Sequence, residues 1–318
     1  MAVHRNRAHT LAAASIALVV LRACVVPAAG AVVPAVRASG TTIPDFYAKA
    51  YRSDALHWPG VTASPANGLP MARYPGFGLQ WNYVTVALYG LQRWSDWLYH
   101  RGGRPARAAA IKAADFLISR QGPDGAWRYT FPFTYDDDAS SESLPAGWIA
   151  AQAQGNAISL LTRMYAATGD RRYLTAAIRG LQPFSRTVGE GGLAFTLDGH
   201  RLLAGYPTST PSLTLEDYEL ALIGVADLAA YGEQAQVLLG ALLPSFYWSL
   251  ALYTSPTGMP YFDLAQDFAP MAGGDIDPAS AQACAEALSA LLSAYPSTAG
   301  ASALAAWTIA LKTLGLND

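Results

Sequence analysis

Residues 147–174 read GWIAAQAQGNAISLLTRMYAATGDRRYL. Trp148, Ala151, Ile158, Leu161, Met164 and Tyr165 recur at three- and four-residue steps, which predicts an amphipathic helix over 147–167. Gly169-Asp170 then supplies a tight turn, and Arg171-Arg172-Tyr173-Leu174 opens a return helix. The same unit recurs. First helices begin near Leu79, Pro145, Leu213 and Pro278, at spacings of 66, 68 and 65 residues. Return helices follow at about 105–121, 171–185, 233–249 and 300–315. Helical pairs at a near-constant period indicate a repeat architecture.

Between the pairs lie segments of another kind: 125–135 (GAWRYTFPFTY), 192–206 (GLAFTLDGHRLLAGY) and 253–264 (YTSPTGMPYFDL). Aromatics alternate in them. Asp198-Gly199 and Pro256-Thr257-Gly258 give turn signals in the latter two, so all three read as short hairpins. The expected fold is mainly α: an α/α toroid of about four helical hairpins, with short β-hairpins on one rim. The hairpins would converge there from distant parts of the chain, which makes the rim the expected site. The toroid occupies 79–318. Residues 32–78 read as a lead-in with one helix around 44–57.

The first 31 residues read as an address. His4, Arg5, Arg7 and His9 precede an apolar run from Leu11 to Leu21, and small residues follow at Ala28, Ala29, Gly30 and Ala31. The run is shorter than the roughly 20 residues that span a bilayer. A basic start, short apolar centre and small-residue end describe a cleavable secretory signal, with an uncleaved anchor as the alternative. Export to the medium or the cell envelope is expected, with no stable membrane insertion after cleavage. Removal takes Arg5, Arg7 and Arg22 and no acid, so the excess of acidic over basic residues rises from two to five.

The chain is 52% hydrophobic and 14% charged, which excludes intrinsic disorder. It carries no basic stripe, so a nucleic-acid partner is not expected. Cys24 leaves with the signal and Cys284 has no partner. His57, His100 and His200 fit no ligand spacing, so neither a metal nor another cofactor is expected. Asp136-Asp137-Asp138 lacks the spaced oxygens of a calcium loop and reads as a solvated turn.

At 145–159 (PAGWIAAQAQGNAIS) the chain resembles the C-terminal domain of the D-glucuronyl C5-epimerases. That family writes Pro-Gly-Trp followed by Ala-Gln-Gly-x-Ala-Ile-Ser. Further matching blocks are Tyr206-Pro207-Thr208 with Pro211-Ser212, Leu222-Ile223-Gly224 with Asp227-Leu228, and 258–264. The resemblance runs from about residue 79 to 265. It implies an α/α toroid and inversion at C5 of glucuronate within a polysaccharide, with a uronate-containing polysaccharide as the partner; a homodimer stays open.

That chemistry removes the proton beside a carboxylate and returns it from the other face. The carboxylate must be neutralised and the developing enolate stabilised, with proton-transfer groups on both faces. The resemblance implies tyrosines for this work, here Tyr206 and Tyr261. Phe262 stands between Tyr261 and Asp263-Leu264, a one-residue departure. The family's acid before Tyr-Pro-Thr is Gly205 here. Its later arginine is absent around Ala265-Gln266, and its third tyrosine is absent from 275–281.

Trp148 and Gln154 match the resemblance and are candidates for binding substrate, with Trp148 also suited to packing. Arg128 and Tyr129 on the first hairpin, Glu190 before the second and Arg201 on it complete the candidate set. For these charges a solvated hairpin position is the alternative. A uronate lyase shares the first proton removal. A glycoside hydrolase needs two carboxyls, for which Glu190, Glu216, Asp217 and Asp263 are available. Glu216-Asp217-Tyr218 otherwise reads as the polar start of a helix. A binding protein without catalysis is the third alternative.

Overall fold

The computed structural model describes residues 35–37, 40–136, 141–264 and 277–315. The signal-like segment therefore lies outside the described residues, as do Asp137, Asp138 and 265–276. The chain is mainly helical. Among the described residues, ten α-helices run in chain order: α1 Tyr47–Ala50, α2 Tyr83–Leu98, α3 Gly103–Arg120, α4 Ala151–Thr168, α5 Arg171–Arg179, α6 Gln182–Ser185, α7 Leu215–Ala229, α8 Glu233–Ser249, α9 Pro278–Ala294 and α10 Thr298–Thr313. Among the described residues, no helix is long and apolar enough to cross a membrane.

The long helices start and stop where local chemistry says they should. Asn82 Oδ1 accepts from Thr85 N at 3.1 Å, Asp170 Oδ1 from Arg172 N at 2.9 Å and Ser297 Oγ from Gly300 N at 3.3 Å. Asp277 accepts from two amides at the head of α9, with Pro278 just inside. Gly169, at φ 71°, ends α4 in the left-handed conformation that glycine adopts without strain. The head of α4 has no side-chain cap. Ala151 N instead donates to Gly205 O at 2.8 Å, tying α4 to a distant loop.

Each first helix packs on its return helix: α2 on α3, α4 on α5, α7 on α8 and α9 on α10. The first helices also pack on one another, α2 on α4, α4 on α7 and α7 on α9, while α1 touches both α2 and α9. At the α4–α7 crossing, glycines replace side chains. A Cβ on Gly155 would stand 2.3 Å from Leu220 O, and one on Gly224 would stand 2.2 Å from Gly155 O. The helix α7 is buried along nearly its whole length.

The lead-in is more than a single helix. Its helical part is only α1 and a 3-10 turn at Ala55–His57, followed by an antiparallel sheet of β1 Val61–Ala63, β2 Pro70–Tyr74 and β3 Gly78–Gln80. Gly68 and Gly76, both at positive φ, make the reversals. Ile43, Phe46 and Tyr47 are buried in the core. Asp45 lies 3.8 Å from the buried Arg163 of α4, which pairs with Asp227 of α7 at 3.1 Å. Ser159 Oγ donates to Asp227 at 2.6 Å and accepts from Tyr47 Oη at 3.0 Å. Residues 31–318 cluster as one unit.

Of the three hairpins, the second is as read: β6 Ala194–Leu197 pairs with β7 His200–Leu203 around Asp198-Gly199, both at positive φ. The first is displaced. The strands are β4 Phe133–Asp136 and β5 Ser141–Leu144, and 125–132 is irregular. The third, among the described residues, forms no strands and keeps an antiparallel bridge between Thr254 and Pro260. Two prolines remove ladder donors from that short stretch.

Candidate functional site

Tyr206 lies two residues beyond Ala204, where the second hairpin returns towards α7. Its ring is half-buried, 5.5 Å from Phe133 and 6.0 Å from Trp148 between centroids. Trp148 is 6% exposed and stacks on Tyr129 at 3.8 Å with the rings nearly parallel. Phe133 covers Trp148 at 4.8 Å, and Phe131 meets it edge-on at 5.9 Å. The Trp148 indole N–H donates to Phe131 O at 2.8 Å. The chain crosses itself here: Tyr129 N donates to Trp148 O and Gly147 N to Tyr129 O. The irregular 125–132 segment is thus held by Trp148 and its neighbours, not by strand pairing.

The Tyr261 segment joins the same region through backbone bonds. Tyr261 N donates to Tyr253 O at 2.7 Å, and Leu215 N, at the head of α7, donates to Phe262 O at 2.9 Å. The buried Asp263 accepts from Leu213 N at 3.0 Å. Gly205 N donates to Ser212 O, closing the loop that carries Tyr206. One network of bonds therefore connects Ala151, Gly205, Leu213, Leu215 and 261–263. Tyr261 is half-buried against the core, while Phe262 is 43% exposed. Glu142 of β5 reaches across to the Tyr206 loop and accepts from Ser209 N at 2.8 Å and Ser209 Oγ at 2.7 Å.

Behind the loop lies a cluster of acids. Asp217, on the first turn of α7, is 4% exposed, and burial, with Glu216 and Asp263 adding like charge, pushes its pKa up to about 8. Glu216 is also raised, chiefly by burial, although Tyr51 Oη donates to it at 2.6 Å and Gln152 Nε2 at 3.3 Å. A cavity of about 350 Å³ opens beside Glu216, lined also by Tyr51, Arg52, Trp58 and Ser280. Sequence reading placed Glu216 and Asp217 at a helix start without seeing their burial. The available signal was α7 itself: LEDYELALIGVADLA is apolar on every side, so its acids cannot all face water.

The remaining candidates stand apart from this cluster or have other tasks. Gln154 is fully buried, and its Oε1 accepts from Trp127 N at 2.8 Å while Nε2 donates to Gly180 O at 3.2 Å. It holds the 125–127 segment against α5. Tyr129 is buried behind Trp148, and burial raises its phenol well above the ordinary range. Arg128 pairs with Asp124 and donates to Gly147 O at 2.7 Å. Glu190 is exposed and caps its own turn, where the Thr187 amide, then its hydroxyl, hold the carboxyl below its ordinary pKa. Arg201 donates to Phe184 O and Ser185 O, both at 3.1 Å, beside a cavity of about 690 Å³ between α5 and α8. Among the described residues, no group of three metal-ligating side chains converges.

Residues 121–278 match the family described as D-glucuronyl C5-epimerase C-terminus. A relative from Caenorhabditis elegans, the D-glucuronyl C5-epimerase, is 31% identical over 167 residues, covering 48% of this chain and 27% of the relative. The chain thus corresponds to about a quarter of that relative's length. The matched stretch contains Trp148, the Tyr206 loop, α7 and the Tyr261 segment. Over residues 121–278, this chain belongs to the D-glucuronyl C5-epimerase C-terminal family.

Proposed function

We propose that this protein inverts C5 of glucuronate units within a polysaccharide, with Tyr206 and Tyr261 as the proton-transfer groups. The observation that carries the reading is the position of Tyr206. It lies in the family-matched stretch, half-buried, beside the half-buried ring of Phe133, a surface of the kind that suits the C–H face of a sugar. The Tyr261 segment reaches the same loop region through the head of α7. Phe133 forms the accessible part of this surface, and the buried Trp148 packs behind it.

The helices support an α/α toroid as the frame. First helices that neighbour one another in the order α2, α4, α7, α9, with α1 touching both ends, have the adjacency that a ring of four pairs requires. Export through residues 1–31 is part of the same proposal, since an extracellular or envelope polysaccharide is then within reach.

The test is proton NMR of the purified protein with unsulfated glucuronate-containing polysaccharides in deuterated water. Deuterium at C5 together with iduronate signals is expected. Tyr206→Phe should reduce exchange at least about 100-fold, the scale of a lost general acid–base group, with circular dichroism unchanged. A shortened polymer with unsaturated ends would replace epimerisation by elimination. Full exchange in Tyr206→Phe would remove Tyr206 from its role.

A further inference from the structure

The cavity of about 350 Å³ beside Glu216 is built by three separate parts of the chain. Tyr51, Arg52 and Trp58 come from the lead-in, Glu216 from the head of α7, and Ser280 and Gln282 from the head of α9. Its volume stands at the small end of the range for ligand pockets, about 300–1,000 Å³, and suits one sugar-sized unit.

Three polar groups on these walls lack protein partners. Both bonds to the Glu216 carboxyl, from Tyr51 Oη at 2.6 Å and Gln152 Nε2 at 3.3 Å, end on Oε1. Oε2 accepts none from the described residues and is not sealed from solvent. Arg52 is exposed and has no ion pair or side-chain hydrogen bond among the described residues. The side-chain amide of Gln282 likewise makes no hydrogen bond among them. Trp58 is half-buried, and its indole N–H is tied to Ser53, at 3.1 Å to the carbonyl and 2.9 Å to the hydroxyl. Those bonds hold the ring in place as a wall.

The unpartnered groups describe a ligand. A free guanidinium matches a carboxylate, which its planar fork can hold by two bonds. A free carboxyl oxygen and a free amide match hydroxyl groups. An indole ring matches the C–H side of a sugar. A uronic acid carries all three features on one ring. Burial is the largest influence on Glu216 and favours its protonated form, so a second full negative charge does not oppose the ligand's carboxylate.

We propose that this cavity binds one uronate unit of a polysaccharide, with the carboxylate on Arg52, hydroxyls on Glu216 and Gln282, and the sugar face on Trp58. That the polymer is the one epimerised rests on the epimerase reading. Except for Glu216, the groups lie outside the family-matched stretch of residues 121–278, so the lead-in and α9 contribute recognition of their own. Adjacent residues of α4 join this site to the Tyr206 loop: Ala151 N donates to Gly205 O, and Gln152 donates to Glu216.

The test is isothermal titration calorimetry of the purified protein with a tetrasaccharide of alternating glucuronate and N-acetylglucosamine. The same tetrasaccharide with its carboxylates reduced to alcohols is titrated in parallel. The native protein should prefer the acid form. Arg52→Gln should weaken binding of the acid form about 10- to 100-fold, the scale of a lost hydrogen bond to a charged group, and erase the preference. Its melting temperature should not change, because the side chain is exposed. Trp58→Ala should weaken both forms by the same factor.

A folded Arg52→Gln variant that keeps the preference would overturn the proposal, as would a native protein that does not bind the acid form. If C5 exchange and binding both persist unchanged in Arg52→Gln and Trp58→Ala, this site fails and the epimerase reading stands. Binding that depends on Arg52, without C5 exchange in the native protein, supports the site and removes the epimerase reading.

Discussion

Asp217 holds a proton in the folded protein that it gives up on unfolding at neutral pH. Its folded pKa of about 8 stands above the ordinary 3.8. Between those values the folded state binds the extra proton, so this group's contribution to stability is greatest at low pH and falls as pH rises. The slope is at most about 1.4 kcal/mol per pH unit for one proton. Thermal melts from pH 5 to 8 should therefore decline more steeply for the native chain than for Asp217→Asn; parallel profiles would show that Asp217 is ionised throughout. At this scale the sequence made Tyr206 and Trp148 legible, because their neighbours in the chain carry a recognisable pattern. It did not reveal the partners of Gln154 and Arg201, which are set by tertiary approach, whereas Glu190 bonds to Thr187 three residues back, a local capping pattern.

At the scale of elements, the helices and the hairpin turning at Asp198-Gly199 were readable, and the other two expected hairpins were not. The period of apolar residues, Gly169-Asp170 and Asp277-Pro278 are local signals that place most of the long helices closely, but α4 begins only at Ala151 and leaves Trp148 outside the helix that the period predicted. The 125–132 segment alternates aromatics as a strand does, but its partners are Trp148 and its own neighbours, so the alternation reflects packing. Nor does helical periodicity tell how close two helices come. The α4–α7 crossing depends on Gly155 and Gly224, where any Cβ meets backbone. Gly224→Ala should destabilise the protein by about 2 kcal/mol or more, since backbone must move to admit a methyl. Gly240 of α8 has open space around the same position, and Gly240→Ala should stabilise by up to about 1 kcal/mol. Urea unfolding of the two variants checks the contrast, and equal effects would mean that the crossing relaxes freely.

On the scale of the whole molecule, the segment before α2 is part of the helical array and not a leader to it. Asp45, Phe46 and Tyr47 enter the core beside α2, α4, α7 and α9, and Tyr51 bonds to Glu216 at the acidic cluster. Repeat spacing could order the four pairs but could not reveal this insertion, because Asp45, Arg163 and Asp227 are far apart in sequence and no local pattern links them. The buried Arg163 makes the dependence energetic. With 32–78 removed it keeps Asp227 but loses Asp45 and the Tyr47 ring, over which its guanidinium lies at 5.3 Å. Losing one partner of a buried charge costs about 3–5 kcal/mol, and the emptied volume of Ile43, Phe46 and Tyr47 adds to it. Such losses approach the whole stability of an ordinary domain, about 5–15 kcal/mol. A chain of residues 79–318 should therefore lack a cooperative thermal transition and near-ultraviolet circular dichroism, while 32–318 shows both. If 79–318 melts as sharply and as high as 32–318, the array is self-sufficient and the insertion merely decorates it.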